Sequence, residues 1–146
     1  MAIEIDPQLF GVFAFWSGIL ILKIMSMALL TAKQRFAKKV FANSEDLMNK
    51  SDAKVKYDDP DVERVRRAHQ NDLENILPWF LITFIWLQTG PSVWLATQLI
   101  RAFAISRCTH SLFYAVVPKQ PHRALSFFVG YWIMFYEAVS VILHFL

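Results

Sequence analysis

The residues of this chain best suited to chemistry stand together in Asp58-Asp59-Pro60-Asp61-Val62-Glu63-Arg64-Val65-Arg66-Arg67-Ala68-His69-Gln70-Asn71-Asp72-Leu73-Glu74-Asn75, which leads without a break into the apolar stretch 76–87. Ionised groups at bilayer depth are costly unless they find partners. A helix that carries so many of them into an apolar region is suited to holding a polar ligand between helices. At about 100° per residue, Glu63, Arg67, Gln70, Asn71 and Glu74 occupy one side of that helix and Val62, Val65, His69, Leu73 and Ile76 the other.

Other segments must bring partners to the same level. Residues 9–32 form an apolar run interrupted only by Lys23; residues 92–117 carry Arg101, Arg107 and His110; residues 124–146 carry Glu137 and His144. At about 1.5 Å per residue, counted from the ends near Leu9, Gly90 and Ser92, Lys23 lies roughly 21 Å along its helix. On the same scale Asp72 and Glu74 lie roughly 24–27 Å along, and Arg107 and His110 roughly 22–27 Å. Three helices thus deliver Lys23, Asp72, Glu74, Arg107 and His110 to one layer, as bundle sites built from facing side chains require. On the third helix Phe103, Arg107, His110 and Tyr114 align; on the fourth, Arg123 aligns with Phe127, Gly130, Met134 and Glu137. Arg35, Arg67 and Arg107 have the forked donors that suit carboxylates.

The elements that position these groups are membrane helices by composition. The 146 residues are 55% hydrophobic and 18% charged, with a mean hydropathy of +0.35, more apolar and less charged than an ordinary soluble domain. Spans of about 20 residues cross the hydrocarbon. The expected fold is all-α: an integral membrane four-helix bundle of up-down topology, one domain over residues 1–146, with spans at about 8–36, 62–90, 92–117 and 121–146. The first span lacks the basic flank and short apolar core of a cleaved signal peptide. Asp61 after Pro60 is the expected N-cap of the second helix, and Pro78 should kink it.

Ten of the fifteen lysines and arginines lie between Lys33 and Arg67, and Lys119 and Arg123 sit in the third-to-fourth connection. The N-terminal tail offers Glu4 and Asp6, and the 88–91 connection has no charge. By the positive-inside rule both basic connections face the cytosol. That face favours anionic lipid headgroups and an anionic ligand. Nucleic acid is excluded, because the basic residues hug membrane ends without a reader motif.

Plainer roles compete with the ligand site. Glu63–Arg67 and Gln70–Glu74 are spaced as ordinary surface pairs. Lys23 has two outcomes open to it, snorkelling to the interface or pairing with Asp72. Cys108 reads as a small buried apolar residue. The tryptophans, Trp16, Trp79, Trp86, Trp94 and Trp132, read mostly as lipid-facing packing or interface anchors. His69 and His110 lack the ligand set a metal needs. Glu137 and Arg101 share a depth of roughly 13 Å and are expected to pair, within one subunit or across an interface between subunits.

Phe41-Ala42-Asn43-Ser44-Glu45-Asp46, the 61–75 segment and Arg123-Ala124-Leu125-Ser126-Phe127-Phe128-Val129-Gly130-Tyr131 together resemble the MAPEG membrane proteins, and the resemblance extends over almost the whole chain. It implies a homotrimer in the endoplasmic reticulum, or in the mitochondrial outer membrane, with glutathione held between subunits on the cytosolic side. Carried over residue by residue, it implies glutathione contacts at Arg35, Arg66, Arg67, His69, Gln70, Asn71, Glu74, His110, Tyr114 and Arg123. Arg123 is implied to stabilise the thiolate, and Asp46 to take part in catalysis. The activity implied is transfer of glutathione to apolar electrophiles with peroxidase action on lipid hydroperoxides, or alternatively isomerisation of prostaglandin H2 to E2. Gln70, Ala124 and Phe127 depart from the arginine, serine and tyrosine of the family's isomerases and lean toward the transferase. Non-catalytic lipid presentation and an ion path through Lys23, Glu137 and His144 are the remaining readings.

Overall fold

The structure, a computed structural model, describes residues 5–47 and 51–146. Glu4 and residues 48–50 of the first connection lie outside the described residues. Helix α1 (Pro7–Lys38) begins where the Asp6 carboxylate accepts from the amides of Gln8 and Leu9 at 2.8 and 3.1 Å. Proline in the first turn loses nothing there, since its missing N–H would be unpaired anyway. The helix stops at Lys39, whose left-handed backbone (φ 55°) turns its N–H back onto the Arg35 and Phe36 carbonyls.

The connection that follows is not wholly irregular. Strands β1 (Val40–Phe41) and β2 (Lys54–Val55) pair in parallel, with a 3-10 turn at Ser44–Leu47 between them. This small ladder departs from the all-α expectation. Phe41 is buried and packs edge-on against Phe36 at 5.3 Å, which fastens the connection to the end of α1.

Helix α2 (Pro60–Leu87) is capped by Asp59 rather than Asp61: the Asp59 carboxylate accepts from Asp61 N at 3.1 Å and Val62 N at 3.3 Å. The cap must precede a proline at the first helical position, and Asp61 is thereby freed to bridge Lys38 at 2.5 Å and Arg64 at 2.6 Å. The helix continues through Pro78. Helix α3 (Val93–Ser111) starts at the Ser92 cap and opens into a π turn at Leu112–Val116, closed by Val117 N donating to Leu112 O at 2.8 Å. The third helix is therefore shorter in regular form than the span read from sequence. Helix α4 is His122–Phe145.

Helices α1 and α4 each pack against both α2 and α3, and among the described residues their backbones do not approach one another closely. The two most apolar helices thus hold opposite corners, while the two that carry internal charge form the inner pair. Contacts between α1 and α2 run in opposite sequence order, from Phe13 against Trp79 and Phe84, through Lys23–Asp72, to Lys38–Asp61. Only α1 and α4 are long and apolar enough, among the described helices, to cross a membrane by length and composition. The charged first half of α2 and the arginines of α3 separate those helices from that group. Large apolar side chains stand outward on both flanking helices, Leu29 at 72% and Trp132 at 58% exposure.

The core sits between the inner faces. Trp79 stacks flat on Phe103 at 4.5 Å, and both are fully buried together with Leu20, Ile76 and Ile100. Trp79 and Trp86 are therefore core residues and not lipid-facing ones, while Trp94 and Trp132 are exposed. Gly130 lets α4 approach α3: a Cβ there would come within 3.2 Å of Ser106 Oγ and 3.4 Å of the Phe103 ring.

Two further expectations are corrected. Glu137 does not pair with Arg101. It is fully buried and accepts a hydrogen bond of 2.7 Å from Thr83 Oγ1 of α2, whereas Arg101 is exposed. Equal depth did not mean equal direction, because Glu137 points into the bundle and Arg101 out of it. Cys108 is exposed, since its neighbour Arg107 takes the inward direction and leaves Cys108 about 100° away.

Candidate functional site

The layer anticipated from helical rise exists, and its centre is Asp72. This carboxylate is fully buried and ion-paired with Lys23 of α1. It accepts from Arg107 Nη2 at 3.0 Å and from Ser111 Oγ at 3.1 and 3.0 Å. Lys23 therefore pairs rather than snorkels. A buried carboxylate is tolerated when its lone pairs are met by charge-assisted donors, and α1 and α3 supply them here.

Arg107 is itself fully buried. The same Nη2 donates to Asn71 Oδ1 at 2.7 Å and lies 3.2 Å from His110 Nδ1. Of its forked donors, Nη2 is engaged inside the bundle, while Nε and Nη1 are buried and make no hydrogen bond among the described residues. From His110 the contacts continue outward. Its ring meets Tyr114 at 5.5 Å and Phe127 at 6.0 Å, and the Arg123 guanidinium lies over the Tyr114 ring at 4.6 Å. With the Gln120 amide oxygen turned toward it, Arg123 also donates through Nε and Nη2 at 3.1 and 2.7 Å.

A second set of polar groups faces an open groove between α1 and α2, of about 470 Å³. Arg66, Arg67, His69 and Gln70 line it with Glu63, Leu73, Ala28 and Thr31. Arg66 is held by Glu63 at 2.6 Å, and Gln70 donates to Glu74 at 3.2 Å. Arg35, near the end of α1, keeps one buried terminal nitrogen, Nη1, without a hydrogen-bond partner. Asp46 accepts from Asn43 Nδ2 at 3.1 Å within the 3-10 turn. Among the described residues neither Arg35, Asp46 nor Glu74 lines the groove, and Asn71, His110, Tyr114 and Arg123 lie in the interior set.

The MAPEG family model matches residues 13–143. The chain belongs to the MAPEG family. It is similar to microsomal glutathione S-transferase 1 of Homo sapiens, with 44% identity over 130 residues, covering 86% of this chain and 84% of that protein. The corresponding protein of Bos taurus is 42% identical over 130 residues, with the same coverage. Prostaglandin E synthase of Bos taurus is 33% identical over 122 residues, covering 84% of this chain and 80% of that one.

In this MAPEG chain the polar residues therefore fall into two sets: a groove set on the open face of α2 and an interior set that ends at Arg123. Sequence reasoning missed Ser111 and Thr83, both of which donate to buried carboxylates. Ser111 stands four residues after Arg107, one turn on along the same face, which was the available signal.

Proposed function

We propose that this chain is a membrane-embedded glutathione transferase that activates glutathione as a thiolate for attack on apolar electrophiles, with peroxidase action on lipid hydroperoxides. The observation that carries the reading is the contact series Asn71–Arg107–His110–Tyr114–Arg123, which connects the α2 motif to an arginine at the end of the bundle. Similarity to proteins named glutathione S-transferase adds to it.

The residues present fit glutathione. Two carboxylates need cations, and Arg67 and Arg66 stand in the groove while the unpartnered Nη1 of Arg35 is a donor awaiting an acceptor. The ammonium needs a carboxylate, and exposed Glu74 has, among the described residues, only the Gln70 amide against it. His69, Gln70, Asn71, His110 and Tyr114 supply further polar contacts. Bound glutathione supplies a thiol that becomes a strong nucleophile once ionised. Arg123, half-buried over Tyr114, holds a fixed positive charge beside the thiol and favours its ionised form. Asp46, fixed by Asn43 in the connection, would take a supporting part in catalysis.

The whole chain acts as one membrane domain in this reading, with all four helices spanning in up-down order. The exposed apolar faces of α1 and α4 support it, since soluble monomers seldom expose contiguous apolar surface of that extent. The division of the polar residues into two sets on different sides of α2 supports a homotrimer, in which the groove of one subunit meets the interior set of the next. The basic ends of α1 and α2 support a cytosol-facing site, and the endoplasmic reticulum is the expected membrane.

A glutathione-dependent prostaglandin E synthase is the second reading, favoured by the 33% identity to that protein and opposed by Ala124 and Phe127 beside Arg123. Purified protein assayed with glutathione against a chloronitrobenzene, a lipid hydroperoxide and prostaglandin H2 separates them. Turnover of the first two supports the transferase; prostaglandin E2 formation alone would replace it with the isomerase.

A further inference from the structure

We propose that the buried Lys23–Asp72–Arg107 cluster is a positioning device for His110, fixing its imidazole as a neutral ring with the proton on Nε2. The ring then meets a ligand only as a hydrogen-bond donor. The identity of that ligand rests on the glutathione reading above; the state of the ring does not.

The argument begins with donors and acceptors. A guanidinium nitrogen has N–H groups and no lone pair, and arginine stays protonated in proteins. Arg107 Nη2 lies 3.2 Å from His110 Nδ1. A proton on Nδ1 would set donor against donor at that distance in a desolvated site, so Nδ1 presents its lone pair. The imidazolium, which carries protons on both nitrogens, is excluded by the same contact. The ring proton is therefore on Nε2, which makes no hydrogen bond among the described residues.

The arrangement holds only if Arg107 cannot turn away. Three contacts prevent that, and two rings hold the imidazole itself in place. Asp72 of α2 takes Nη2 at 3.0 Å, and its carboxylate is held in place by Ser111 Oγ and by the Lys23 ion pair from α1. Asn71 accepts from the same nitrogen at 2.7 Å. Gly130 of α4 brings its backbone so near that a Cβ would stand 3.5 Å from Arg107 Cδ. Tyr114 and Phe127 pack on the imidazole.

The chemical consequence is specific. A ring with a bare Nδ1 facing Arg107 and a proton on Nε2 can donate to a carboxylate, a carbonyl or a thiolate. It cannot accept the thiol proton, so His110 is not the base that ionises glutathione. Proton removal must end on solvent or another group, with Arg123 stabilising the anion left behind.

The decisive measurement is the 15N spectrum of ring-labelled histidine in the detergent-solubilised full chain at neutral pH, with the His110 signals assigned by difference against His110→Gln. The expected result is an unprotonated Nδ1 and a protonated Nε2. Arg107→Lys keeps a charge for Asp72, but its shorter side chain cannot set a nitrogen where Nη2 meets Asp72, Asn71 and His110 together. It should give mixed tautomers and glutathione binding weaker by about tenfold, the size of one charge-assisted hydrogen bond. Lys23→Met/Asp72→Asn keeps the net charge of the cluster and should also release the ring, which separates positioning from folding. A protonated Nδ1 in the wild type, or an unchanged ring signal in either variant that folds, would overturn the proposal. A locked ring in a protein that binds no glutathione would leave the positioning intact and remove the ligand reading.

Discussion

Replacing Arg123 by alanine is expected to cut turnover by about a hundredfold while leaving glutathione affinity within several-fold. Arg123 is half-buried at the start of α4, with its guanidinium over the Tyr114 ring at 4.6 Å and its Nε and Nη2 donating to the Gln120 amide oxygen. A thiolate about 6 Å from that charge, at the effective dielectric of about 20 suited to such a site, gains about 2.8 kcal/mol. At about 1.36 kcal/mol per pH unit, removing the charge raises the pH at which the bound thiol ionises by about two. At fixed pH the thiolate fraction, and with it the rate, falls by the same factor of about a hundred. The lost stacking on Tyr114 is worth only about 0.5–1 kcal/mol at an exposed site, and it belongs to the protein rather than to the reacting sulfur. The assay follows thiolate ultraviolet absorbance of the bound glutathione against pH, beside kcat with a chloronitrobenzene. Arg123→Lys should keep most of the effect, because the charge remains. An Arg123→Ala protein whose bound thiol ionises at the wild-type pH and turns over at the wild-type rate would refute the electrostatic role.

Glu74→Gln should raise KM for glutathione about tenfold, more than it lowers kcat, by leaving the ligand ammonium without its charge partner; unchanged affinity by calorimetry would make Glu74 a brace for Gln70 alone. Thr83→Val, nearly isosteric, removes the hydroxyl that meets Glu137 in the core and should cost about 1–3 kcal/mol by thermal melting in detergent. Arg101→Gln, at an exposed position, should leave that melting point near the wild type, and a large loss there would restore the discarded Glu137–Arg101 pair. The Lys38–Asp61 bridge joins the ends of α1 and α2: the hydrogen bond and charge of Lys38 hold the Asp61 carboxyl below its usual range, and Asp61 holds the Lys38 amine above its own. Its contribution is present from the ordinary carboxylate range up to the ordinary lysine range. It is lost as pH falls through the lowered Asp61 value or rises through the raised Lys38 value. Proteolysis of the 39–59 connection should therefore quicken at both extremes in the wild type, and an Asp61→Asn protein should show neither dependence.

Much of this protein was determined by order along the chain. Four apolar runs gave four helices, but the starts were less legible: capping is a local exchange between one side chain and the next few amides, and the structure uses Asp6, Asp59 and Ser92 where Asp61 was the expected cap of the second helix. The 61–75 motif was specific enough to mark the family. Depth was also legible: rise per residue is nearly constant, so Lys23, Asp72 and Arg107 could be set at one level before any packing was known. Direction was not. Each helix can turn about its axis without changing the depth of any residue, and only contact with its neighbours fixes that angle. Packing therefore decided that Glu137 meets Thr83 and not Arg101, that Arg107 turns Nη2 onto Asp72 inside the bundle, and that Cys108 faces out. It also divided the α2 motif into a groove set and an interior set, a separation invisible in a linear motif because residues one apart, such as Gln70 and Asn71, point about 100° from each other and meet different helices.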